Sequence, residues 1–293
     1  MASLKEVRTR INSIKSTRKI TSAMKMVASS KLHRAQQAIG NMRPYEKHLF
    51  EIMSGFLSKL EDNIETRYSE TREVRKVAIV AISSNSSLCG AFNTNVIKEL
   101  KNTAAEYRAK GCEVEIYPIG RKVADAARKM GFKFESDHSA LLEHPEYGSA
   151  TILSEKLMTR FSIGKIDKVI LIYQHFASTS RQEMRAETFL PINLQEIGTD
   201  NKAAERKGKQ LDFIIEPSVQ SIVESLIPTS LHFKIFTALL DSLAAEHSAR
   251  VMAMQVATDN ADELIEQLTL AYNKARQQAI TSELLDIMGG SMQ

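Results

Sequence analysis

Residues 231–287 run for more than fifty positions without proline or glycine and keep a helical pattern of apolar residues throughout. No other property of the chain constrains its fold as strongly. Arg250, Met254, Ala257, Ala261, Leu264, Leu268, Ala271 and Ala275 follow one another at alternating spacings of four and three, which is the spacing of a heptad seam. A helix of that length measures roughly 85 Å, against roughly 15–20 Å for an average one. Such a helix cannot bury its stripe inside one compact domain, so it requires a second long helix.

The N-terminal region supplies that partner. Leu4, Val7, Ile11 and Ile14 repeat at three, four and three, and the series resumes at Ala28, Leu32, Ala35, Ile39 and Met42. Two terminal helices of this kind pair most simply as a long antiparallel coiled coil. The apolar series lapses at Ser16-Thr17-Arg18, and Ile20 comes six positions after Ile14. A discontinuity of this type locally alters a supercoil, so irregular packing is expected near one end. Charge favours the same pairing. Residues 1–48 carry eleven Lys and Arg against Glu6 and Glu46, whereas residues 229–293 carry four basic groups against eight acidic ones. The surplus positive charge on the first helix points to a further acidic partner.

Between these helices the periodicity changes. Residues 76–83 and 168–176 are nearly continuous β-rich apolar runs, as expected of strands buried on both faces. Residues 113–119 read as another strand, 132–135 as a short one, 185–190 as an edge strand stopped by Pro191, and 211–215 as a last short strand. Helical patterns at 95–110, 121–130 and 150–161 alternate with them. The order implies a Rossmann-like, mostly parallel α/β sheet inserted between the two halves of a coiled coil. The expected domains are 1–60 for the first coil helix, 74–217 for the α/β insert and 218–293 for the second coil helix. Ser3 with Glu6 forms a capping box for the first helix. Pro44 either ends that helix or opens a continuation over 46–60, and residues 61–75 and 198–210 read as polar connectors. A short helix at 219–226, with Ser218 as its cap, is expected to stop before Pro228.

With 293 residues, 43% of them hydrophobic and 25% charged, the chain can bury a sizeable core. Two cysteines are too few for a disulfide framework and fit a reducing compartment. No run reaches the eighteen consecutive apolar residues of a membrane span, and with heptads beginning at Leu4 no cleavable leader is expected, so the chain should work where it is made or be in mature form. The loop after the first strand, Ser84 to Gly90, is where an α/β sheet would hold a nucleotide, but it contains one glycine and no lysine. Serines capping the following helix are the plainer reading, and Cys89 reads as a packed thiol. The seven histidines show no pair at i, i+4, so neither a metal site nor a catalytic constellation is visible.

Four stretches together resemble one known family. Ile20-Thr21-Ser22-Ala23-Met24-Lys25-Met26-Val27-Ala28-Ser29-Ser30-Lys31, Leu88-Cys89-Gly90, Glu246-His247-Ser248-Ala249-Arg250-Val251-Met252-Ala253-Met254, and Tyr272-Asn273-Lys274-Ala275-Arg276-Gln277 with Ile280-Thr281-Ser282-Glu283 are similar to the gamma subunits of F-type rotary ATP synthases. The resemblance implies the central shaft of a proton-driven ATP synthase, non-catalytic itself and without a cofactor. As implied partners it has a hexameric ring of alpha and beta subunits, an epsilon subunit and the membrane ring of c subunits. The implied location is the cytoplasmic face of a bacterial inner membrane, since no cysteine-bearing insertion of the chloroplast kind follows the second strand. By the same resemblance Met24, Lys25, Arg276, Gln277, Thr281 and Glu283 match positions near the beta-subunit contact. Lys25 stands where some members have glutamate, Asp286 replaces a common glutamate, and Asn85-Ser86-Ser87 replaces an acidic, basic and glycine triplet. The alternative that the residues leave open is a coiled-coil adaptor carrying a nucleotide-sensing α/β domain.

Overall fold

The computed structural model describes residues 4–58, 66–132, 134, 136–193 and 219–290. Helix α1 (Leu4–Ser58) is followed by β1 (Lys76–Ile82), α2 (Phe92–Ala109), β2 (Glu113–Ile119), α3 (Arg121–Lys129) and a 3-10 turn at Ser139–Leu142. Then come α4 (Tyr147–Ser162), β3 (Lys168–Ser178), β4 (Arg181–Leu190) and α5 (Val219–Gly290). Ser3, the connector 198–210, the strand 211–215 and the Ser218 cap lie outside the described residues, as do residues 133 and 135 of the short strand expected at 132–135.

Two of the six prolines lie inside helices. Pro44 sits within α1 and Pro228 within α5, so the break expected before Pro228 does not occur. A helical proline removes one donor and costs about 3 kcal/mol. Here Ile227 and Leu231 on either side of Pro228 are almost wholly buried, and fully burying such a side chain contributes about 1.5–3 kcal/mol. Tertiary packing therefore outweighs the local preference to stop.

The chain divides into two compact units, residues 31–249 and residues 1–30 with 250–293. In the first, the sheet has the order β2-β1-β3-β4, with β1 parallel to β2 and β3 and β4 antiparallel to β3. Its two faces are covered differently. Val77, Ile79 and Ala81 of β1 pack with Val96 and Leu100 of α2 and Val123 and Ala127 of α3. Ala78, Val80 and Ile82 face Leu153 and Leu157 of α4, Leu49 and Met53 of α1, and Leu239 and Leu243 of α5. The continuous apolar run of β1 thus reflects a strand sandwiched between helices, as its composition requires.

In the second unit α1 and α5 pair antiparallel. Arg18 Nε lies 2.5 Å from Asp262 Oδ1, Thr21 Oγ1 lies 2.9 Å from Thr258 Oγ1, and Lys25 Nζ donates to Gln255 Oε1, so one helix ascends as the other descends. On α5 the inward positions are Met254, Thr258, Ala261, Ile265, Leu268, Tyr272 and Ala275. The seam read from the sequence shares Met254, Ala261, Leu268 and Ala275 with this set but places Leu264 and Ala271 inside. Leu264 is 46% exposed and Ala271 is exposed as well, while Ile265 and Tyr272 take the inner places. Two interleaved series of four and three run along this helix, and only the position of α1 selects between them.

Helix α1 runs unbroken through the lapse in its apolar series. Leu4, Val7, Ile11, Ile14, Arg18, Thr21, Lys25 and Ala28 keep the alternation of three and four through one unbroken helix. The apolar series lapses because three successive layers are polar, and these are the layers bonded to Asp262, Thr258 and Gln255. Aspartate at Leu268 is expected to destabilise the chain by about 1–3 kcal/mol through a partly buried unpaired charge, and at Leu264 by less than about 1 kcal/mol. Urea unfolding of the two single variants measures the difference, and equal losses would restore the seam through Leu264.

Candidate functional site

In an open α/β sheet, ligands bind beyond the carboxyl ends of the strands where the strand order reverses. Here that point lies between β1 and β3, since the chain moves from β1 to β2 on one side and then to β3 on the other. The loop after β1 is tightly self-bonded. Ser84 N donates to Asn93 Oδ1 at 3.0 Å, and Asn93 Nδ2 donates to the Cys89 sulfur at 3.1 Å and to Ser86 O at 3.3 Å. Leu88 has φ 65°, unusual for a side chain of its size, and its side chain is 59% exposed.

The amides that could cradle a phosphate are already used. Arg121 N donates to Asn85 Oδ1 at 3.1 Å, Lys122 N to Ser84 O at 3.2 Å and Val123 N to Ser83 Oγ at 2.9 Å. The serine-rich loop therefore caps α3 and not the helix that follows it, because parallel pairing sets the ends of β1 and β2 side by side. At the turn into α3, Gly120 (φ 109°) is obligatory, since a Cβ there would lie 2.4 Å from Ser83 O. Between β1 and β3 the crevice is filled from within. Cys89, Phe92 and Ala245 form a buried cluster flanked by Phe176 and Ala249, and the buried Gln174 amide donates to Phe92 O at 2.7 Å. Cys89 is 2% exposed, a packed thiol. Among the described residues no group of three or more His, Cys, Asp or Glu side chains is placed to hold a metal ion.

The other candidate is the surface of the helix pair. Met24 and Lys25 are partly buried, with Lys25 held by Gln255. Arg276, Gln277, Thr281 and Glu283 are exposed, and Thr281 Oγ1 donates to the Gln277 carbonyl at 2.9 Å. Lys25 is level with Gln255, twenty-one residues before Arg276, which amounts to about 30 Å of helix. The six residues therefore form two separate patches and not one site.

Each patch carries exposed apolar side chains that periodicity alone did not single out. Around Met24 these are Ile20, Met26, Val27, Met252 and Val256, exposed by 42–66%. Around Thr281 they are Ile280, Leu284, Leu285, Ile287 and Met288, exposed by 46–69%. The cross-helix pairs set residues of α1 and α5 level when their numbers sum to about 280, so among the described residues none of α1 is level with α5 beyond Arg276. Exposed apolar side chains gathered at one level are the kind of surface that other macromolecules cover. The sequence did contain a signal, because Ile20 and Val27 are apolar, seven apart and off the seam.

With the switch-point crevice filled and the α3 amides occupied, isothermal calorimetry of the isolated chain with ATP is expected to show no tight site. A site that is lost on changing Ser87 or Gly90 would revive the nucleotide-sensing adaptor.

A family model described as ATP synthase matches residues 3–292. The chain is 54% identical over 293 residues, covering 100% of both, to the ATP synthase gamma chain of Phocaeicola vulgatus, and 55% identical with the same coverage to that of Bacteroides fragilis. Among solved structures, its fold is similar to a chain of the rotor of Euglena gracilis mitochondrial ATP synthase, with TM-score 0.63, 17% identity and coverage of 94% of this chain and 98% of that one. A chain of the OSCP/F1/c-ring assembly of the same enzyme gives TM-score 0.64 at 19% identity, covering 99% and 93%. A full-length match at this identity, together with a sheet set between long terminal helices, places the chain in the ATP synthase gamma-chain family.

Proposed function

We propose that this chain is the central rotor shaft of a proton-driven ATP synthase, carrying torque between a membrane ring of c subunits and the catalytic beta subunits while catalysing nothing itself. The observation that carries the reading is the helix pair of residues 4–30 and 250–290, which sets Arg18, Thr21 and Lys25 on its seam line, with Thr21 and Lys25 partly buried there, and exposes apolar side chains at the same level. That arrangement suits a shaft enclosed by other subunits better than one standing in water. A hexameric ring of alpha and beta subunits is the encloser in this reading. Its beta subunits contact Met24 and Lys25 at one level and Arg276, Gln277, Thr281 and Glu283 at another. The epsilon subunit and the c ring complete the set of partners. No helix among the described residues is long and apolar enough to cross a membrane, so the proposed place at the cytoplasmic face of a bacterial inner membrane is held through the complex.

Electrostatics supports the same enclosure. Eleven basic groups against two acidic ones in residues 1–48 exceed what the second helix neutralises. Lys19 and Lys31 are exposed, while Lys25 is engaged with Gln255. Charge attraction acts across a sliding contact without fixed shape and is screened by salt, with a Debye length of about 8 Å at physiological ionic strength. Co-expression with alpha and beta subunits is expected to yield a stoichiometric ATPase complex. Neutralising Lys19, Lys25 and Lys31 together should weaken its assembly more at low salt than at high salt. A chain that never co-purifies with the ring sinks the shaft reading, and a triple variant equal to wild type at every ionic strength removes the charge contact from it.

A further inference from the structure

Between residues 234 and 248, α5 is almost wholly buried: Ile235, Phe236, Leu239, Leu240, Leu243, Ala244 and Ala245 are each at most 7% exposed. Three polar residues nevertheless recur there at intervals of seven, Lys234, Asp241 and Ser248, and all three are bonded to the β3–β4 hairpin. Lys234 Nζ lies 3.4 Å from the Thr188 carbonyl and 3.7 Å from Glu187 Oε2, on the strand leaving the hairpin. Asp241 receives the Phe176 amide at 3.0 Å on one oxygen and His175 Nδ1 on the other. At the hairpin turn, Ser248 Oγ donates to the Thr179 carbonyl at 2.7 Å and accepts from Gln182 Nε2 at 3.2 Å.

A spacing of seven keeps these groups on one line of the helix, about 21 Å long from first to last. Apolar contact is non-directional and resists separation far more than rotation or sliding. Hydrogen bonds weaken steeply when their angles change, so a row of them fixes both the rotational and the axial setting of a helix. We propose that Lys234, Asp241 and Ser248 are positioning residues that lock the angle of α5 against the β3–β4 hairpin and carry torque between that helix and the α/β sheet. The proposal rests on the shaft reading. Tyr173 belongs to the same layer: its hydroxyl donates to Glu187 at 3.3 Å, and burial followed by the Glu187 charge pushes its pKa up to about 12, so it stays a neutral donor throughout the working range.

The test is angular stiffness in the assembled complex. The alpha–beta ring is fixed to a surface and a bead is attached through Lys98→Cys on the exposed side of α2, Cys89 and Cys112 being buried. Angular fluctuation is read while ATP is withheld. Lys234→Met, Asp241→Asn and Ser248→Ala combined should raise the angular variance about twofold or more, because the directional bonds that hold the joint's angle are removed together. Leu240→Ala, which weakens the apolar core of the same segment, should leave the variance at the wild-type value. If the triple variant does not assemble, Ser248→Ala alone should show a smaller rise. Unchanged variance in an assembled variant, or an equal rise in Leu240→Ala, overturns the polar joint. A wild-type bead that never turns when ATP is added overturns the shaft reading and the proposal with it.

Discussion

Every other feature of this protein depends on how α5 is buried. Its 72 residues are covered in two different ways. In residues 31–249 the helix packs on a sheet face beside α4 and α1 and is buried nearly all round, as Leu239, Ala244 and Ala245 illustrate. In the other unit it meets α1 alone, and one stripe is all that a single partner helix can cover. Covering by a sheet permits a proline in mid-helix at Pro228, whereas covering by a single helix imposes the strict alternation of three and four.

The helix pair reverses the usual distribution of polarity over three layers. Arg18, Thr21 and Lys25 lie on the seam line and bond to Asp262, Thr258 and Gln255, while Ile20, Met26, Val27, Met252 and Val256 point outward. The Arg18–Asp262 pair is about half exposed and the other two contacts are partly buried, so each adds little net stability, about 0.5–1.5 kcal/mol for a typical hydrogen bond. The apolar residues placed outside gain nothing unless another surface covers them. Both halves of the reversal fit the proposed shaft enclosed by other subunits.

The α/β unit shows how a nucleotide-binding architecture can be closed from within. Its strand order creates a switch point, but Phe92, Gln174 and Ala245 occupy the crevice, and the loop from Ser83 to Asn85 uses the first amides of α3. The space where a cofactor would sit in another member of this architecture is used here to seat α5. The same region supplies the hairpin to which Asp241 and Ser248 are bonded, so a fold associated with binding serves as an anchorage.

By itself the sequence determined the architecture, because period and composition act locally. Runs such as residues 76–82 can only be strands covered on both sides, and a glycine-free stretch beyond fifty residues with a heptad stripe can only be a long paired helix. The motifs around Met24 and Thr281 carried the family. Tertiary structure decided which of two interleaved stripes faces inward, since Leu264 and Ile265 are equally apolar and only the placement of α1 distinguishes them. It also decided that the serine loop caps α3, that Pro228 stays helical, and that the six residues carried over from the family form two patches about 30 Å apart. Each of these depends on residues far away in the chain, through strand adjacency, burial or helix register, and no local pattern encodes a distance between elements that meet only in the folded protein.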